Sequence, residues 1–156
     1  MRDFAAQVQE IAARYPDSRS AVLPALRIAQ ERHDGWLPPE AFLEVAEALE
    51  LTPAYCQAVA SFYDMYHLAP TGKHLVEVCT NLSCALARAQ DVVEALESEL
   101  GVGPGQTTAD GEITFRTVEC LGGCGYAPVV AVDHRYRHDV RPDDVPAIVQ
   151  ELRAGS

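Results

Sequence analysis

The 156-residue chain has no run of about 18 consecutive apolar residues, the length that a membrane-spanning helix requires. Its start, Met1-Arg2-Asp3-Phe4, lacks the basic-then-apolar order of a secretory signal. A soluble, cytoplasmic protein is the expectation. Basic residues are scarce: 12 Lys and Arg stand against 23 Asp and Glu, a formal net charge of −11. Such a surface repels phosphate backbones and anionic headgroups, which argues against nucleic acid and membrane lipid as direct partners. There is no Cys-x-x-Cys, which a thioredoxin-type dithiol enzyme requires. There is also no dinucleotide loop: Gly101-Val-Gly-Pro-Gly105 follows a helical pattern and lacks the third glycine at position 106. Repeats and low-complexity segments are missing too. What is present, 48% hydrophobic and 22% charged residues, is the balance of a chain with a packed core.

The first seventy residues read as a small helical bundle. Phe4, Val8, Ile11 and Tyr15 fall on one helical face, and Pro16-Asp17-Ser18 ends that helix. Ser20 caps a second helix, carrying Val22, Leu23, Leu26 and Ala29, that ends at His33-Asp34-Gly35. Leu37-Pro38-Pro39 opens a third, with Phe42, Leu43, Ala46 and Leu49 inward. Thr52-Pro53 starts a fourth, with Tyr55, Val59, Phe62 and Tyr63 inward. After Pro70-Thr71-Gly72 the pattern changes. His74 to Val78 reads as a strand, Leu86, Ala89, Val93, Leu96 and Leu100 as an amphipathic helix stopped by Gly101, and Ile113 to Glu119 and Pro128 to Val132 as two more strands. Val145, Ile148, Val149 and Leu152 form a final helix behind Asp143 and Asp144. The expected class is α+β, with a helical domain over 1–70 and an α/β domain over 71–156.

Five cysteines in a chain with no export signal point to a reducing compartment, where metal binding or catalysis outranks disulfides. Four residues separate Cys79 from Cys84, three separate Cys120 from Cys124, and 35 lie between the pairs. Each pair follows a predicted strand, so two adjacent strands of one sheet would present four thiolates at one edge. On spacing alone the chemistry stays open. A 2Fe-2S cluster takes two protein ligands per iron, structural zinc accepts four cysteines, and disulfides are the third possibility. Gly122, Gly123 and Gly125 beside the second pair let backbone N–H groups turn toward the sulfurs, and an ordinary glycine turn would look the same. Asn81 and Ser83 can hydrogen-bond within their own loop.

Cys56 sits among apolar helical neighbours and reads as a small core residue. His33, His67, His74, His134 and His138 show no ligand spacing with the cysteines, so solvent or local hydrogen bonding is expected of them. Phe62-Tyr-Asp-Met-Tyr66 is an aromatic run expected to pack the bundle against the second domain, with an interface role as the alternative.

Val78-Cys-Thr-Asn-Leu-Ser-Cys84, Val118-Glu-Cys-Leu-Gly-Gly-Cys124 and Ala127-Pro128-Val129 closely resemble the thioredoxin-like 2Fe-2S subunit family of respiratory complex I. This is the 24 kDa family whose bacterial members are the E subunits of NADH-quinone oxidoreductase. The likeness extends through Tyr15-Pro16, Leu23-Pro24, Gln30, Gly35-Trp-Leu37, Val59-Ala-Ser-Phe-Tyr63 and Pro70-Thr-Gly-Lys73, from about residue 8 to about residue 152. Gly125, where the family often has a polar or charged residue, and Cys56 depart from it. The resemblance implies a helical domain followed by a thioredoxin-like domain, with one 2Fe-2S cluster on Cys79, Cys84, Cys120 and Cys124. It implies as partner the flavoprotein subunit that holds FMN, the NADH site and a 4Fe-4S cluster, within a complex peripheral to the inner membrane. Related chains serve NAD-linked hydrogenases and formate dehydrogenases. The chain itself then carries electrons and has no substrate site, so it is an oxidoreductase only as a subunit.

Overall fold

A computed structural model describes residues 3–155. The chain forms two compact units, one ending at Pro70 and one beginning at Thr71.

In the first unit, α1 (Phe4–Ala12), α2 (Val22–Arg32), α3 (Pro39–Leu49) and α4 (Pro53–Phe62) surround a core that includes Val8, Leu26, Phe42, Val45 and Leu49. Thr52 caps α4 as expected, its hydroxyl accepting from the Tyr55 N–H at 3.2 Å, and Pro39 and Pro53 sit in the first turns, where no N–H is needed. Ser20 does not cap α2. It lies in a 3₁₀ turn, Ser18–Ala21, whose cap is Asp17, accepting from the Arg19 N–H at 2.8 Å. The expected inward faces of α3 and α4 are also corrected. Leu43 points to solvent, and α4 buries Cys56 and Ala60 while Tyr55 and Phe62 are exposed. Small side chains let the helices approach closely, and the aromatic rings stay outside. The aromatic run divides: Phe62 is exposed, whereas Tyr66 is buried in the bundle and donates its hydroxyl to the Leu23 carbonyl at 2.8 Å.

The second unit contains β1 (His74–Cys79), α5 (Leu82–Leu86), α6 (Ala89–Leu100), β2 (Gln106–Thr107), β3 (Ile113–Val118), β4 (Val130–Val132), β5 (Arg135–Arg137) and α7 (Val145–Ala154). The sheet order is β2-β3-β1-β4-β5; β1 and β3 are parallel, and the other neighbours are antiparallel. Alternation sends Val76, Val78, Ile113, Phe115, Val130 and Val132 into a core with α6 and α7. Glu77 on the other face is buried and pairs across the sheet with Arg116, whose Nε donates at 2.9 Å. β2 and β5, short edge strands, and α5 were not expected.

α5 replaces the expected loop around Asn81. Arg88, in the left-handed conformation at φ 67°, separates α5 from α6, so Leu86 is exposed rather than inward. The strand register places two turns, Asp110-Gly111 and Asp133-His134, at the start of β1, where Gly111 accepts from the Lys73 N–H and the Asp133 N–H donates to Leu75. No described helix is long and apolar enough to cross a membrane.

Candidate metal centre

The two cysteine pairs meet because β1 and β3 run parallel and side by side. Cys79 is the last residue of β1, opposite Val118, the last of β3, and Cys120 follows two residues later. Cys84 sits on α5, which Asn81 caps by accepting the Leu82 N–H at 2.8 Å. Cys124 opens a 3₁₀ turn, Cys124–Tyr126, packed beside α5. A cis Ala127–Pro128 peptide then leads into β4, and the Cys79 N–H donates to the Val129 carbonyl at 3.1 Å.

Cys79 and Cys84 are buried, and Cys120 and Cys124 are exposed. Burial pushes the Cys79 thiol up. The Asn81 and Leu121 N–H groups, with hydrogen bonds to the Cys84 and Cys120 thiols, outweigh it and hold Cys79 below its ordinary value. Cys84 is raised, first by burial and then by the neighbouring Cys79 and Cys124 charges, with the Val129 backbone opposing. The Gly122 N–H donates to the Cys120 sulfur at 3.3 Å, with Gly122 at φ +74°, a conformation that favours glycine. Gly123 is dictated by packing instead, since a Cβ there would lie 2.9 Å from Val129 Cγ2. Gly125 has nothing within 4 Å, so a larger residue fits there. Among the described residues no three Cys, His, Asp or Glu side chains close on one point as a single metal ion would require.

Cys56 lies in the bundle core, and burial pushes its thiol up. Several histidines have local partners: His33 meets Glu44 at 3.3 Å, His74 meets Asp133 at 2.8 Å, and His138 stacks on Tyr126. Gln30, a residue of the family likeness, pins the segment after α4 to α2. Its amide donates to the Met65 carbonyl at 3.1 Å and accepts the His67 N–H at 2.8 Å. A lone glutamine gives no pattern from which that could be read.

The model of the thioredoxin-like 2Fe-2S ferredoxin family matches residues 8–153. The chain belongs to that family. Among relatives, the second NADH-quinone oxidoreductase E subunit of Rhizobium meliloti is 40% identical over 148 residues, covering 95% of this chain and 88% of its own. NADH-quinone oxidoreductase subunit 2 of Thermus thermophilus is 42% identical over 151 residues, covering 95% of this chain and 83% of its own. The Mycobacterium tuberculosis NADH-quinone oxidoreductase E subunit is 43% identical over 94% of this chain, which spans 58% of that longer relative. The crystal structure of an air-oxidized NAD+-reducing NiFe-hydrogenase matches with a TM-score of 0.73 over 83% of this chain and 23% of its own. At 22% identity that likeness is one of fold.

This member of the thioredoxin-like 2Fe-2S ferredoxin family fits the family's cluster on the chemistry of its donors. Four thiols, on the end of β1, on α5 and in the segment after β3, are the full ligand count for two irons. The N–H groups of Asn81, Leu121, Val129 and Gly122 already address three of those sulfurs.

Proposed function

We propose that this chain is the electron-transfer subunit of an NADH-quinone oxidoreductase, holding one 2Fe-2S cluster on Cys79, Cys84, Cys120 and Cys124 beside the flavin of an NADH-oxidising partner. The observation that carries the reading is the meeting of two distant cysteine pairs at the ends of two parallel strands. Sequence identities of 40 to 43% to quinone-oxidoreductase subunits support that parent complex over a hydrogenase or formate dehydrogenase.

When bound, a 2Fe-2S cluster supplies one-electron transfer. The chain's own residues hold and tune it. Cys79 and Cys84 close the inner side against water, and Cys120 and Cys124 form the side open to a partner. Backbone N–H donors beside the thiolates offset their negative charge, and the helices α6 and α7 back the sheet with apolar side chains. Residues 71–156 form the cluster-carrying domain and residues 1–70 a helical domain. Hydride removal from NADH belongs to the partner, which holds FMN and a 4Fe-4S cluster. The pair sits in a peripheral arm attached to the inner membrane through other subunits.

Anaerobically purified protein is expected to contain two irons and two acid-labile sulfides per chain, with the visible spectrum of a 2Fe-2S centre. A colourless protein with one zinc would end this reading and make the chain a structural scaffold. Changing Cys79, Cys84, Cys120 or Cys124 singly to Ala removes most of the cluster, whereas Cys56→Ala retains it. Equal cluster loss in a folded Cys56→Ala protein would show the ligands to be misassigned. Purification from the native source then identifies the parent: quinone-reductase subunits support this assignment, and a nickel or molybdenum subunit replaces it.

A further inference from the structure

Leu86 is 78% exposed, and Leu82, one turn earlier on α5, is 71% exposed. Both lie on the short helix that carries Cys84. The 3₁₀ turn with Cys124 packs beside α5 and brings Tyr126, 64% exposed. Its ring stacks on His138 with centroids 4.8 Å apart, and its carbonyl accepts the Asp139 N–H at 2.9 Å, so ring and backbone are both held. Three large apolar side chains therefore stand beside the edge where the Cys120 and Cys124 thiols are exposed.

Charge marks the same place. The chain carries 12 cations and 23 anions, yet no charged residue occurs from Thr80 to Ala87 or from Cys120 to Ala127. Apolar, aromatic and depleted of charge is the composition of an interface centre, not of an ordinary acidic surface. We propose that Leu82, Leu86 and Tyr126 form the docking face for the protein that exchanges electrons with the cluster, a different subunit whose own contact face is uncharged and apolar. The proposal rests on the electron-transfer reading above. Charge also decides against a second copy as occupant. Self-pairing would bring −11 against −11 and set two four-thiolate sites edge to edge, a repulsion that a less acidic partner does not meet.

The test uses the full-length, cluster-loaded chain and its NADH-binding flavoprotein subunit. Leu82→Ser, Leu86→Ser and Tyr126→Ser, made singly and as the double leucine variant, should keep the visible and EPR spectra, because none of these side chains is buried or a ligand. The double variant should bind the flavoprotein about tenfold or more weakly, and NADH should reduce its cluster more slowly at limiting concentration. Phe62→Ser and Met65→Ser, exposed apolar positions in the helical unit, should stay within about twofold of the parent. Leu82, Leu86 and Tyr126 variants that bind as tightly as the parent overturn the docking face and leave the functional reading standing. A parent chain with no affinity for the flavoprotein overturns both. An isolated parent that elutes as a dimer, converted to monomer by the leucine variant, assigns the face to self-association and also overturns the proposal. Should a leucine variant fail to load its cluster, Tyr126→Ser, on a separate segment, decides the outcome by itself.

Discussion

Gly72 has room for a hydrogen and no more. A Cβ there would lie 2.9 Å from the Glu112 carbonyl oxygen and from the backbone N and C of Ile113, atoms that belong to or adjoin β3. Its N–H donates to Thr114 Oγ1 at 2.6 Å, which keeps the segment before β1 pressed on that strand. Gly72→Ala is expected to cost about 1–3 kcal/mol, because backbone cannot step aside as a side chain can. Gly125→Ala, in open space, should stay within about 0.5 kcal/mol. Urea unfolding of both variants checks the contrast, and equal midpoints would refute it. The close approach at Gly72 and the open space at Gly125 come from strand packing, which residue type does not reveal. The cysteines, by contrast, are legible one by one, since spacing after predicted strands is a local signal and their meeting follows from strand adjacency.

At the scale of elements, α3 ends unusually. Glu50 adopts φ 54°, and the Leu51 N–H reaches back to the Ala46 carbonyl at 2.9 Å, a six-to-one closure that normally uses glycine. Glu50→Gly should therefore stabilise the protein by about 1 kcal/mol by relieving the Cβ crowding of that conformation. The expected reading is a higher urea midpoint with unchanged slope; a lower midpoint would show that the side chain matters more. Longer elements such as α4, with Thr52 and Pro53 at its start, were readable, as were α7 and β1. Shorter ones were not. β2 has two residues and β5 three, too few to alternate, and α5 has five, too few to show a period. Hydrophobicity also misled the phase of α4, because it weights Tyr55 and Phe62 above Cys56 and Ala60, and close helix packing selects the small residues.

At the scale of the molecule, each unit has its own apolar core, and the four candidate ligands all follow Thr71. Removing the cluster with an iron chelator should then lower one thermal transition, that of the C-terminal unit, and leave the bundle's transition in place. Differential scanning calorimetry of loaded and stripped protein reads this, and equal displacement of all unfolding would contradict it. The turns at Asp110-Gly111 and Asp133-His134 add a practical consequence. They lie at the start of β1, whereas Cys79 ends it, and the five steps of about 3.3 Å along its six residues set the two ends roughly 16 Å apart. A tag inserted at Gly111 or His134 would fasten the molecule to an electrode by the end remote from the thiols. The strands would then act as an insulating spacer, with the sulfur-bearing edge turned outward to meet whatever arrives from solution.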